Sequence, residues 1–157
     1  MNYEHAAFAG LEKHIGEILA SSAPREERAR AIAAEIHAAG NYRWVGLYDV
    51  TSDAVKIIAY SGPGEPQYPE FPRDRGLTGQ MLRTGETVVV GDVTKDPNYL
   101  PAFGTTRSEM VVPVLVSSET VGTIDVESER IDAFSEFDRA WLERVATAVA
   151  PLYTNFP

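Results

Sequence analysis

Apolar residues in the first forty positions recur at helical spacing. Phe8, Leu11, Ile15, Ile18 and Leu19 fall on one face of residues 3–20, which predicts an amphipathic helix. A second stripe, Ala29, Ile32, Ala33 and Ile36, repeats at i, i+3, i+4, i+7. Ser22 stands where an N-cap belongs, Pro24 suits the first turn, and Glu26 and Glu27 favour the positive end of the helix dipole. Gly40 suits the stop. From Tyr42 the period changes to two. YRWVGLYDV and AVKIIAYS are rich in β-branched and aromatic residues and flank the polar TSD, predicting a hairpin. SEMVVPVLVSS and ETVGTIDVES predict another. Between the hairpins lies a loop with Gly62, Pro63, Gly64, Pro66, Pro69 and Pro72, long enough for a functional flap but equally suited to a plain surface excursion. A short helix from Gly76 to Gly85, the strand TVVVGDV and the irregular TKDPNYLPAFGTTR follow. Ser135 and Asp138 match a capping box, and Phe137, Trp141, Leu142, Val145, Ala148, Val149 and Leu152 predict a closing helix over 135–153.

Helices followed by a mainly antiparallel sheet make an α+β domain. The 157 residues suit one domain, with no internal repeat or linker: helices over 3–39, a sheet over 42–128 and the closing helix.

Composition narrows the chemistry. The chain has no cysteine, which removes disulfides, thiolate nucleophiles and dithiol cycles from its own side chains. His5, His14 and His37 match no metal spacing, and no metal or cofactor is expected. The formal net charge of −9 opposes nucleic acid and anionic membranes, and Arg25, Arg28 and Arg30 alternate with Glu26 and Glu27 as a solvated face. The opening segment lacks a signal-peptide layout, and no apolar run is long enough to cross a bilayer, so the expected location is cytoplasmic.

Strand alternation singles out a few residues. Trp44, Gly46 and Tyr48 point one way, and Val121, Thr123, Asp125 and Glu127 share a face of the later strand. Two carboxylates on such a face suit a cavity that receives a cation or hydrogen-bond donor, or else a fraying strand end in water. Glu109 would add a third acid at the rim, and aromatic rings beside carboxylates suit an ammonium group. Asp92 and Asp96 read as turn residues, since Pro97 occupies the position where a calcium loop needs glycine. Asp125 and Glu127 could also form an acid/base pair, an arrangement that alone points weakly to hydrolysis.

RGLTGQMLRTGETVVVGDVTKDPNY resembles the central segment of GAF domains, with Gly76 and Gly79 at a helix start, Gly85 at its end, then Asp92-Val93 and Asp96-Pro97. The likeness continues through SEMVVPVLVSSETVGTIDVES and FSEFDRAWLERVA, covering roughly residues 5–153. It implies a PAS-related central antiparallel sheet with helices on one face and a ligand pocket on the other. Trp44-Val45-Gly46-Leu47-Tyr48, Ser108-Glu109-Met110-Val111-Val112-Pro113 and Asp125-Val126-Glu127 resemble motifs of the free methionine-(R)-sulfoxide reductases, with Glu127 replacing an aspartate. The resemblance implies that Trp44, Tyr48, Glu109, Asp125 and Glu127 line a substrate pocket. It also implies cysteines where this chain has Thr78 and, in two loops, near Tyr68 and Ala102.

Without those thiols, the expected function is a non-enzymatic sensor or regulatory GAF domain. Its expected ligand is a small amine-bearing metabolite such as a free amino acid or a methionine derivative. Trp44, Tyr48, Thr78, Glu109, Asp125 and Glu127 are its expected contacts, under lids from 62–75 and 94–107. The alternatives are a dimerisation or assembly module with a vestigial pocket, or a divergent enzyme related to the sulfoxide reductases. A homodimer through the terminal helices is a further expectation; the same stripes could instead cover the domain's own sheet.

Overall fold

The computed structural model describes residues 3–154, with side chains described from Phe8 onward. The prediction for His5 therefore lies outside the described side chains. Helices α1 (Tyr3–Ala20) and α2 (Arg25–Gly40) come first, followed by β1 (Trp44–Val50) and β2 (Ala54–Ser61). Next come β3 (Glu70–Pro72), α3 (Gly76–Thr84), β4 (Val88–Val90), β5 (Ser108–Val116), β6 (Glu119–Ser128) and α4 (Glu136–Val149). Among the described residues the strands form one six-stranded sheet in the order β3-β2-β1-β6-β5-β4, and every neighbouring pair is antiparallel. The architecture is α+β with an antiparallel sheet, as the sequence implied.

Alternation along the strands decides which face each helix covers. Val45, Leu47, Met110, Val112, Val114, Ile124 and Val126 point to one side. There they bury against Phe8, Leu11 and Ile15 of α1, the Ala29, Ile32, Ala33 and Ile36 stripe of α2, and Trp141, Leu142, Val145 and Val149 of α4. The apolar stripes of the terminal helices thus enter the domain's own core. The short α3 packs on the opposite face, where Leu77 and Met81 meet Val88 and Val111.

Local details depart from the sequence reading in four places. Ser22 does not cap α2: the N-cap is Pro24, with no side-chain bond. Gly40 remains helical, and the left-handed closing residue is Asn41, at φ 53°. The 62–75 loop contains β3, which pairs with β2 along Ala54–Lys56. The closing helix ends at Val149, because Pro151 turns residues 150–153 into a 3-10 segment. Its start agrees with the sequence, since Ser135 and Asp138 complete a reciprocal capping box.

That final segment braces β1 from behind. The Tyr153 hydroxyl donates to the Tyr48 carbonyl at 3.1 Å, beside a register shift between Leu47 and Tyr48. Gly122 makes room for the ring, since a Cβ there would strike Tyr153 and lie 2.6 Å from the Tyr48 carbonyl oxygen. The Arg25 guanidinium donates two bonds to Asp49, at 2.7 and 2.8 Å, and lies over the Tyr153 ring. Among the described residues no helix is long and apolar enough to cross a membrane.

Candidate functional site

The sheet face opposite the three long helices carries Trp44, Gly46 and Tyr48 of β1, Glu109 and Val111 of β5, and Thr123, Asp125 and Glu127 of β6. Register brings them together. Gly46 pairs with Asp125 and Trp44 with Glu127 across β1 and β6. Glu109 pairs with Glu127, and Val111 with Asp125, across β5 and β6. Lacking a side chain, Gly46 leaves the space beside Asp125 to the Trp44 and Tyr48 rings, which a Cβ would meet.

A cleft with about 340 Å³ of space free of atoms, counting its open mouth, lies over this face. Its lining includes Tyr48, Glu109 and Asp125 from the sheet, and Gly76, Leu77 and Thr78 from the start of α3. Tyr68 and Phe71 close it from one loop; Leu100, Pro101 and Ala102 close it from the other. The two loops meet where the Gln67 amide donates to the Ala102 carbonyl at 3.1 Å. Thr78, where the resemblance implies a cysteine, and Tyr68 and Ala102, near which it implies two more, thus line one cleft.

Trp44 and Glu127 are not part of its lining; they lie buried on the same sheet face, beside it. Trp44 stacks on Tyr60 at 6.1 Å, meets Phe103 edge-on at 5.5 Å, and donates from Nε1 to the Gly64 carbonyl at 3.1 Å. Tyr48 bridges floor and cleft, with its ring 6.3 Å from Trp44 and 5.9 Å from Phe71.

The three acids form a cluster rather than a frayed strand end. One oxygen from each of Glu109, Asp125 and Glu127 lies within 4.8 Å of the other two. All three residues are at least nine-tenths buried. The Thr106 hydroxyl donates to Glu127 Oε2 at 2.7 Å, while Glu127 Oε1, Glu109 Oε2 and Asp125 Oδ1 have no partner in the protein. Burial disfavours the charged forms. It drives Glu109 well above the usual carboxyl range, helped by the charges of Asp125 and Glu127. Burial also lifts Asp125 to about 7, against a hydrogen bond with Glu109 that favours the anion. Glu127 rises to about 8 through burial and then the Asp125 charge, with the Thr106 bond opposing. Burial and the same three acids raise the Tyr48 phenol, which stays neutral.

Near neutral pH the cluster therefore holds protons in a water-poor site, presenting both acid donors and carboxylate acceptors. Its oxygen donors are also of the type that hard divalent cations take.

The sequence reading named the sheet residues and the segments 62–75 and 94–107 that border the cleft, but did not single out Phe71, Leu77, Leu100 or Pro101. An aromatic between two prolines at Phe71 was the available signal; Leu77, Leu100 and Pro101 carry none apart from the fold. Nor did it find Thr106 as the partner of Glu127. Asp92 and Asp96 make turns as expected: Asp92 Oδ1 accepts from Thr94 N and Oγ1, and Asp96 Oδ1 accepts from Asn98 N.

The GAF domain family model matches residues 24–151. A free methionine-R-sulfoxide reductase of Saccharomyces cerevisiae is 31% identical over 109 residues, 68% of this chain and 60% of that protein. The chain thus spans less than two thirds of that relative's length. The structure of a type II free methionine-R-sulfoxide reductase from Thermoplasma acidophilum is 32% identical with a TM-score of 0.75, covering 83% of this chain and 95% of that one. A free methionine-R-sulfoxide reductase from Neisseria meningitidis, solved with its substrate, is 28% identical with a TM-score of 0.84, covering 98% and 91%.

These neighbours are enzymes, and they overturn the expectation of a non-enzymatic sensor, including the step from missing cysteines to missing activity. The divergent-enzyme alternative fits them better. The physical error is specific. Absence of a thiol removes one reactant from the chain's own side chains, but leaves a cleft whose buried acids can still transfer protons.

Proposed function

Because this chain belongs to the GAF-domain family and is homologous to free methionine-R-sulfoxide reductases, we propose that it is a divergent enzyme that reduces a small free sulfoxide bearing an amino group. Free methionine-R-sulfoxide is the sharpest candidate. The observation that carries this reading is the Glu109–Asp125 pair, two buried carboxyls at the cleft floor whose raised affinities keep a proton available near pH 7. A sulfoxide oxygen bears partial negative charge, and breaking its bond to sulfur requires protonation of the departing oxygen. A neutral carboxylic acid in a dry site is a suitable donor. The anionic members of the cluster favour the substrate ammonium, and the Tyr48 ring adds an aromatic wall. Tyr68, Phe71 and Leu100–Ala102 cover the cleft and limit water.

Isothermal titration with free L-methionine-R-sulfoxide tests recognition. The expected result is saturable heat, weakened at least tenfold in Asp125→Asn. An assay for free methionine, run with a thiol, a reduced nicotinamide or a reduced flavin, tests turnover. No binding at millimolar substrate, or no methionine above the enzyme-free rate with any of the three reductants, overturns the proposal.

A further inference from the structure

Tyr48 belongs to two environments at once. Its ring lines the cleft and meets Phe71 at 5.9 Å, while its carbonyl accepts from the Tyr153 hydroxyl at 3.1 Å. Both residues are buried. The accepting carbonyl stands where β1 changes register against β2. Leu47 pairs with Ala59 and Tyr48 with Ile57, which leaves Ile58 of β2 without a partner on β1. Toward β6 the register runs unbroken through Tyr48 and Thr123. An extra residue of this kind bends a strand pair and re-aims its side chains, so the β2 ladder does not by itself fix where the Tyr48 ring points.

The contacts behind Tyr48 supply what the ladder lacks. Residues 150–153 bring the Tyr153 ring up to Gly122, where any Cβ would collide with it. The Arg25 guanidinium lies 5.2 Å from the centre of that ring and donates from Nε to the Leu152 carbonyl at 3.0 Å. It also grips Asp49, the residue after Tyr48, with bonds of 2.7 and 2.8 Å. The start of α2, the middle of β1 and the segment after α4 therefore lock together at one point. Burial first, and then the Asp49 charge, push the Tyr153 phenol up against the opposing effect of Arg25, so its hydroxyl stays a neutral donor. None of residues 150–153 lines the cleft, which leaves β1 as their route to it.

We propose that Tyr153 is a positioning residue of the cleft, setting through the Tyr48 carbonyl where the Tyr48 ring stands beside Glu109 and Asp125. The inference rests on the reading of the cleft as a ligand site and requires no particular chemistry there. The coupling runs both ways. A ligand that settles against one placement of the ring strengthens the Tyr153 bond, and loss of that bond weakens the ligand by the same factor.

Tyr153→Phe keeps the ring against Arg25 and Gly122 and removes only the hydroxyl. Ser135→Ala serves as the control, because it loses a helix cap at the opposite end of α4. Two readings are taken where each protein is fully folded, so that lost stability alone leaves them unchanged. The first is NMR of ligand-free protein carrying isotopically labelled tyrosine, with the Tyr48 ring signals assigned from Tyr48→Phe. Those signals are expected to move in Tyr153→Phe and to stay in place in Ser135→Ala. Arg25→Lys, which loses the forked grip on Asp49, is expected to move them as well, and decides alone if Tyr153→Phe does not fold. The second reading is isothermal titration with free L-methionine-R-sulfoxide. Its dissociation constant is expected to rise about three- to tenfold in Tyr153→Phe, the worth of one buried hydrogen bond, and to hold in Ser135→Ala. Tyr48 ring signals that hold still in Tyr153→Phe overturn the inference, as does an unchanged dissociation constant there or an equal loss in Ser135→Ala. A wild type that binds no sulfoxide removes the proposed function and leaves the first reading to decide. Moved signals then keep Tyr153 as the residue that places Tyr48, and fixed signals remove both.

Discussion

Replacing Glu127 with glutamine keeps the shape of the side chain and removes its ability to ionise. The native carboxyl rises from an ordinary 4.5 to about 8, with burial as the largest cause and the Asp125 charge second. A folded state that holds a proton more tightly than the unfolded chain gains stability below pH 4.5, and loses that gain as pH rises through 8. At about 1.4 kcal/mol per pH unit, the full shift sets a ceiling of roughly 5 kcal/mol. Part of it depends on the charge of Asp125, which is itself protonated over much of the range, so the expected difference is roughly 1–3 kcal/mol. Glutamine can still accept from Thr106, and its amide can donate toward the neighbouring acids, so little is lost at low pH. Urea unfolding at pH 4 and 8.5 measures the effect. The two proteins should be nearly equal at pH 4, with Glu127→Gln the more stable at pH 8.5 by about 1–3 kcal/mol. A stability difference that does not change with pH would refute the reasoning, as would a wild type that gains on the variant as pH rises.

Gly122→Ala should destabilise the domain by about 1–3 kcal/mol, because its new methyl collides with the Tyr153 ring and crowds the Tyr48 carbonyl. A denaturation midpoint equal to wild type would show that the brace behind β1 can shift freely. Ser135→Ala removes the hydroxyl that accepts from Asp138 N and should cost about 1 kcal/mol by the same measurement, without altering sulfoxide binding.

Much of this protein is legible in its sequence because the relevant physics is local. The α1, α2 and α4 stripes require only helical periodicity, and the Ser135–Asp138 cap needs only three-residue spacing. The two hairpins follow from alternation around short polar turns. Absence of cysteine is likewise a fact of sequence, and it still dictates that electrons for any sulfoxide reduction come from elsewhere. A period of two also places Trp44 with Tyr48 on one face of their strand, and Asp125 with Glu127 on one face of theirs.

What only the tertiary structure decided depends on contacts between distant segments. Ser22 has the chemistry of a cap, but the chain enters α2 through Pro24. The loop between β2 and α3 gains a strand because β2 offers a free edge. Most of the site is of this second kind. Strand register sets Glu109 opposite Glu127, and two loops carry Tyr68 and Ala102 over Thr78. Packing also buries Trp44 and Glu127 beside the cleft rather than in its wall. A carboxylate in sequence is ordinarily an anion, and these three hold protons more tightly because the fold removes water, with the charge of neighbouring acids adding to the effect at Glu109 and Glu127. Desolvation of this kind is a property of the packed chain, which is why the acids were visible in the sequence while their chemistry was not.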